Sequence, residues 1–161
     1  MTKSYMTAIS RKTASAPLRR VLPSISKGSK ILDYGCGKGA DALYLSKIGH
    51  DVDSYDPYWN PIDLSGNESS YDFVLCTYVL NVLPEEDCSS VISSIRKYLN
   101  PNGVAYVSVR RDVKVERKTN RGYQRNVILK HPVFYENAGN FCIYKISQSS
   151  LMGGEKVSTG G

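Results

Sequence analysis

The sequence predicts an α/β fold, a three-layer sandwich whose sheet is mostly parallel and closes with an antiparallel hairpin. Three observations carry this. Lys30–Leu32 reads as the end of a buried strand, the glycines after it force a tight turn, and Ala40–Ile48 reads as a helix leaving that turn. Further strands follow at Asp51–Tyr55, Tyr71–Thr77 and Val104–Val109, with a helical pattern between the last two. Val127–Leu129 and Phe141–Ile146 then read as two strands joined through His131-Pro132 and Asn137-Ala138-Gly139-Asn140, a closing hairpin.

The bounds are ordinary. At 161 residues the chain suits one domain with a real core, and it is too short for a cofactor domain plus a separate substrate domain. Hydrophobic content of 41% and charged content of 22% fit a soluble globular protein. The formal net charge of +6 favours an anionic partner without proving one. Cys36, Cys76, Cys88 and Cys142 are scattered with no C-x-x-C pair, so neither a metal site nor a disulfide framework is expected. Reduced thiols point to a cytoplasmic location. No apolar run reaches membrane-spanning length, and no signal-peptide core follows Met1-Thr2-Lys3.

Along the chain, residues 1–28 form a basic N-terminal segment in which Pro17 opens a short helix over Leu18–Ile25, interrupted at Pro23. It either packs across the sheet with a solvated basic face or folds Ala8–Lys12 over the ligand as a lid, which would bring Arg11 and Lys12 to the substrate. In the helix after the glycine turn, Ala42, Leu43, Leu45 and Ile48 make one apolar side, and Gly49 ends it. Asp56 lies at the carboxyl end of the second strand, the edge where open parallel sheets bind ligands. Only Pro57–Ser70 separates that strand from the next, whereas a helix plus a strand needs roughly 30 residues. One sheet edge is therefore missing or vestigial. Pro84-Glu85-Glu86-Asp87 opens a helix with acids in its first turn, and Val91, Ile92, Ile95 and Leu99 give it a buried face. Asn100–Gly103 is a turn into the central strand. After it, Arg110, Arg111, Lys114, Arg117, Lys118, Arg121 and Arg125 crowd into one span, either a solvated face or a phosphate-binding rim. Residues 151–161 read as a flexible tail.

The chemistry concentrates at Lys30–Asp41. Gly35-x-Gly37-x-x-Ala40 formally satisfies the dinucleotide fingerprint, with Asp56 near the distance of a ribose contact. Asp33 opposes that reading, because a carboxylate two residues before the first glycine repels a pyrophosphate and suits an ammonium group. Elsewhere there is no serine elbow, paired carboxylate site or P-loop, and His50 and His131 read as structural.

With Gly39 added, Asp33-x-Gly35-x-Gly37-x-Gly39 resembles motif I of class I S-adenosylmethionine (SAM) methyltransferases, and Tyr71-Asp72-Phe73-Val74 resembles their fourth strand. The resemblance runs from about Gly28 to Arg110 and implies a Rossmann-like sandwich with a shortened region after the second strand. It also implies that residues 29–150 form a SAM-dependent methyltransferase domain. Ala8-Ile9-Ser10-Arg11, Ser15-x-Pro17-x-Arg19, Tyr55-Asp56-Pro57-Tyr58 and Val79-Leu80-Asn81-Val82 are similar to methyltransferases associated with DNA phosphorothioation gene clusters.

On that resemblance SAM is the expected cofactor, held by Asp33, Gly35, Cys36, Gly37, Gly39, Asp56, Pro57, Tyr58, Trp59, Asp63, Thr77 and Tyr78. Trp59 either covers the adenine or packs in the core. Thr77–Asn81 stands where amino-methylating enzymes carry D/N-P-P-Y, which speaks against amino-group methylation of adenine or cytosine by that route. Tyr78 and Asn81 are the expected active-site (catalytic) residues, orienting substrate or the methionine end of SAM. Arg11, Lys12, Arg111, Arg117, Lys118, Arg121 and Arg125 would meet a nucleic-acid substrate. A small-molecule methyltransferase and a SAM-binding regulator without turnover stay open beside the nucleic-acid reading.

Overall fold

A computed structural model of the chain describes residues 13–113, 117–119 and 122–148, the side chains of 117–119, 122 and 123 excepted. In order these form α1 (Ala16–Val21), β1 (Lys30–Tyr34), α2 (Ala40–Lys47), β2 (Asp51–Tyr55), β3 (Tyr71–Thr77), α3 (Glu85–Tyr98), β4 (Leu99–Arg110), β5 (Arg117–Thr119), β6 (Gly122–Gln124), β7 (Val133–Asn137) and β8 (Phe141–Ser147). Six of the strands make one sheet, ordered β2-β1-β3-β4-β8-β7, while β5 and β6 pair separately. β1 runs parallel to both β2 and β3, and β3 to β4; β8 lies antiparallel to β4 and to β7. The order reverses direction between β1 and β3, which makes the carboxyl ends of those two strands the ligand crevice of an open sheet.

Crossovers of one hand leave that point in opposite directions, so α2 and α3 fall on opposite faces. The core shows the same division through strict alternation. Ile31, Leu75, Tyr106, Phe141 and Ile143 pack with Leu18, Val21 and Leu45 of α1 and α2. Their strand neighbours Leu32, Val74, Cys76, Val107, Cys142 and Tyr144 pack with Ile95 and Tyr98 of α3. The basic segment thus contributes α1 to the sheet's core. Ser15 caps it, accepting from Leu18 N (3.3 Å), and Ser15 N and Oγ donate to the buried Asp41 carboxylate of α2 at 2.7 and 2.6 Å. Arg19 donates to Ala14 O (2.5 Å) and the Arg20 guanidinium lies 4.2 Å from the Tyr135 ring centre, so neither is free for a distant ligand.

α2 ends as expected. Gly49 has φ +103° and donates to Ser46 O, and His50 N donates to Leu45 O, the paired bonds of a Schellman motif. Residues 56–70 hold neither helix nor strand, leaving β2 as the sheet edge, where the Asn60 amide donates to Ser54 O (2.6 Å).

The expected apolar side of α2 holds at Ala42 and Leu45 but not at Leu43 and Ile48, which are exposed, and two strand expectations change. Val127–Leu129 is not the first arm of the hairpin; Val133–Asn137 is. The 127–129 backbone is held by side chains instead of a ladder, with Arg111 Nη1 donating to Val127 O (2.5 Å) and Leu129 N donating to the Tyr144 hydroxyl (3.1 Å). The turn at Asn100–Gly103 is a bulge inside β4, since Tyr71 pairs with Leu99 and Phe73 with Val104.

Candidate active site

The ends of β1, β2 and β3 converge on the glycine turn. Gly35 has φ +83°, and a Cβ there would run into Val79 Cγ2, so the position requires glycine both for its conformation and for space. Gly35 N and Cys36 N both donate to Tyr55 O, at 2.7 and 2.9 Å, pinning the turn to the end of β2. Gly37 N donates to Asp56 Oδ2 (2.9 Å), and Gly39 N to Cys36 O (3.0 Å). These four amides are therefore committed inside the protein. A phosphate-cradling loop needs its amides free, so the turn is unsuited to the pyrophosphate of a dinucleotide.

Electrostatics point the same way. Asp33 is 3% exposed, the last of the three buried residues of β1. Asp41 occupies the first turn of α2, and Asp56 faces the glycine turn. Burial, reinforced by Asp33 and Asp56, pushes the Cys36 thiol up to about 12, so it stays protonated and is no nucleophile. Asp33 and Asp56 thus stand at the glycine turn as carboxylates, while both oxygens of Asp41 are taken up by Ser15.

Asp56 also organises the shortened loop. Its Oδ1 accepts from Tyr58 N (2.9 Å) and Trp59 N (3.0 Å), and reciprocal backbone bonds to Asn60 close a tight turn around Pro57. Turn-capping and orientation toward the glycine loop are thus two jobs of one carboxylate. The turn raises Tyr58 and Trp59 out of the core: they are 57% and 41% exposed, which overturns core packing for Trp59. Their rings meet edge-on at 5.1 Å, and Lys38 Nζ lies 5.1 Å from the Trp59 ring centre. Asp63 stands farther along, capping its own turn by accepting from Ser65 N (2.9 Å).

At the end of β3, half-buried Thr77 pairs in register with Ser108. Tyr78 follows at φ +62°, a left-handed conformation that a bulky side chain adopts at a cost of about 1–2 kcal/mol. Its N–H donates to Ser108 O (2.9 Å), and its ring packs against the α1–α2 side of the core.

Asn81 is not placed to touch a ligand. It is fully buried; its Oδ1 accepts from Arg110 N (2.7 Å) and its Nδ2 donates to Arg125 O (2.8 Å). It fastens the two ends of the basic span together, a positioning role. Arg125 turns inward, donating from Nε to Leu83 O (2.7 Å) and from Nη2 to Cys88 Sγ (2.8 Å). Arg111 does likewise: Nη2 donates to the Tyr144 hydroxyl (2.8 Å), Nη1 to Asn126 and Val127, and Nε lies 3.5 Å from Glu136. Two of the expected rim arginines are therefore structural. Arg110 pairs with Asp112. Arg117 and Lys118 stand in β5, which pairs with β6 in a small hairpin the charge run did not reveal. Arg11, Lys12 and Arg121, like the expected lid and tail, lie outside the described residues.

Sequence reasoning missed the buried Ser15–Asp41 pair, Val79 as the filler of the space above Gly35, and Lys38 against Trp59. The first had a local signal, a serine two residues before Pro17.

The chain matches the family described as methyltransferase domain over residues 6–142. A probable S-adenosyl-L-methionine-dependent methyltransferase of Haemophilus influenzae, TehB, is 30% identical over 95 residues, which cover 46% of this chain and 33% of that protein. The chain thus spans about a third of that relative's length. Among solved structures, the PH0226 protein of Pyrococcus horikoshii superposes with a TM-score of 0.62 at 14% identity, covering 81% of this chain and 87% of its own. The Burkholderia thailandensis 1,6-didemethyltoxoflavin-N1-methyltransferase, solved with its substrate and S-adenosylhomocysteine, gives 0.61 at 16% identity, covering 89% and 77%. The shared fold is the Rossmann-like α/β sandwich.

Proposed function

This chain belongs to the methyltransferase-domain family, and from that premise we propose that it transfers a methyl group from SAM to a compact, small-molecule acceptor. One observation carries the cofactor: a glycine turn with its amides committed, set among buried acids, fits a cationic ligand and not a pyrophosphate. When bound, SAM supplies a methyl group already activated on a sulfonium. The protein's part is then alignment and exclusion of water, which asks for no acid–base pair. Asp33 would face the ammonium end and Asp56 the ribose hydroxyls, while Tyr58 and Trp59 would cover the adenine from the shortened loop. Tyr78, locked by its backbone at the carboxyl edge, would orient the acceptor.

The inward turn of Arg111 and Arg125 favours a compact acceptor over a polyanion. The bound substrate of the Burkholderia relative is itself a small molecule. A second reading keeps nucleic acid as the substrate, on the net charge of +6 and the β5–β6 hairpin that carries Arg117 and Lys118. Salt separates the two, because each phosphate contact adds about one unit to the slope of log affinity against log salt.

S-adenosylhomocysteine should bind in calorimetry and NAD should not. Asp56→Ala should weaken that binding about tenfold, the loss of one charge-assisted hydrogen bond. Equal affinity in the variant would remove Asp56 from the site, and binding of NAD instead would overturn the cofactor.

A further inference from the structure

Among the described residues the two faces of the sheet are unequally covered. One carries α1 and α2; the other carries α3, and the whole connection from Arg110 to Val133 supplies no helix among the described residues. Beside α3, where a second helix would complete the layer, runs the extended segment 125–131. A groove of about 560 Å³ lies between them. Its apolar lining comes from Ile92 of α3 and from Val127, Ile128 and Leu129 of the facing segment. Ile128 is 77% exposed, the highest among the exposed large apolar side chains. Exposed Lys97 and Lys130 flank the groove, with Arg96 and Arg125 also in its lining and Glu85 its one acid. Nothing in the cofactor crevice lines it.

We propose that this groove is the docking site for an amphipathic, acidic α-helix of a partner protein. An apolar row at i, i+3, i+4 and i+7 would enter between Ile92 and Ile128, and flanking carboxylates would meet Lys97 and Lys130. Charge decides the class of helix: the two exposed lysines, Lys97 and Lys130, backed by the buried Arg96 and the inward-turned Arg125, outweigh the one acid, Glu85, and so reject a basic segment and attract an acidic one. The walls decide against nucleic acid, whose phosphates gain nothing from four aliphatic side chains. The helix completes the half-covered layer, so the groove works independently of the methyl-transfer reading.

The probe is a fluorescein-labelled helical peptide with Leu at i, i+3, i+4 and i+7 and Glu on both flanks, titrated by anisotropy against the full chain. It should bind saturably, and a copy with Lys for every Glu should bind at least about tenfold more weakly. Ile128→Asp should reduce affinity at least about tenfold, and Lys97→Glu with Lys130→Glu should do the same with a loss of salt dependence. Both variants alter exposed side chains, so calorimetric affinity for S-adenosylhomocysteine should match the parent's. Equal peptide affinity in Ile128→Asp, or no saturable binding by the parent, overturns the proposal. Displacement of the peptide by oligothymidine assigns the groove to nucleic acid instead. A parent dimer that Ile128→Asp dissociates in sedimentation assigns it to a second copy of this chain.

Discussion

The glycine turn and the basic span are both dense local clusters in the sequence, yet they behave oppositely in the fold. At Asp33–Gly39 the requirement is a backbone requirement. Glycine at φ +83° is a fact about one short segment, even though Val79, which fills the space where its Cβ would stand, comes from 44 residues on. At Arg110–Arg125 the feature is charge, and charge does not specify its own partner. Arg111 is claimed by Glu136, Tyr144, Asn126 and Val127, and Arg125 by Leu83 and Cys88. A motif written in backbone conformation survives folding; a run of cations is redistributed by it.

The sharpest way to break this contrast is at Gly35. Gly35→Ala adds an unfavourable left-handed residue and a collision with Val79, together about 2–5 kcal/mol of stability. Gly39→Ala meets only the first cost, about 1–2 kcal/mol, because nothing lies within 4 Å of its added Cβ. Urea unfolding of the two variants should therefore rank them far apart, and equal losses would mean that the Val79 contact is not what fixes Gly35.

Next comes the basic span. Arg111→Met removes a mostly buried guanidinium and strands the Val127 carbonyl, which should cost about 2–3 kcal/mol. Lys47→Met, on an exposed cation, should cost about 0.5 kcal/mol or less. A silent Arg111→Met would return Arg111 to the solvated rim.

At the cofactor loop, Trp59 is the sole tryptophan and is 41% exposed, so its fluorescence reports on that loop alone. Titration with S-adenosylhomocysteine should shift or quench the emission, and a flat titration at saturation would place the adenine elsewhere.

The smallest effect is electrostatic. Burial first, then Asp33 and Asp56, lifts the Cys36 thiol from 9.0 to about 12, and burial also raises Cys76 and Cys88. The unfolded chain loses these protons from about pH 9, while the folded chain keeps them longer, so stability is full below about 9 and falls as pH rises toward 12. The urea midpoint should hold up to about pH 9 and drop between there and about pH 12, and Cys36→Ser should flatten part of that drop.

Much of this molecule was legible in one dimension. The parallel core, the acid at the end of β2 and the missing edge unit all followed from periodicity, glycine placement and the 14 residues from Pro57 to Ser70. These are properties that each segment carries in its own backbone preferences and side-chain period, which is why the sequence alone determines them. What only the tertiary structure decided concerns who meets whom. Asn81, adjacent in sequence to the site, became a buried fastener because Arg110 and Arg125 arrive at its amide from 29 and 44 residues away. Val127–Leu129 had every mark of a strand, but Arg111 and Tyr144 took its hydrogen bonds first. The carboxylate that caps the turn under Trp59 is itself fixed by Gly37 N, 19 residues away. Hydrogen bonds between groups far apart in sequence depend on the closed sheet that brings them together, and no local pattern records that closure.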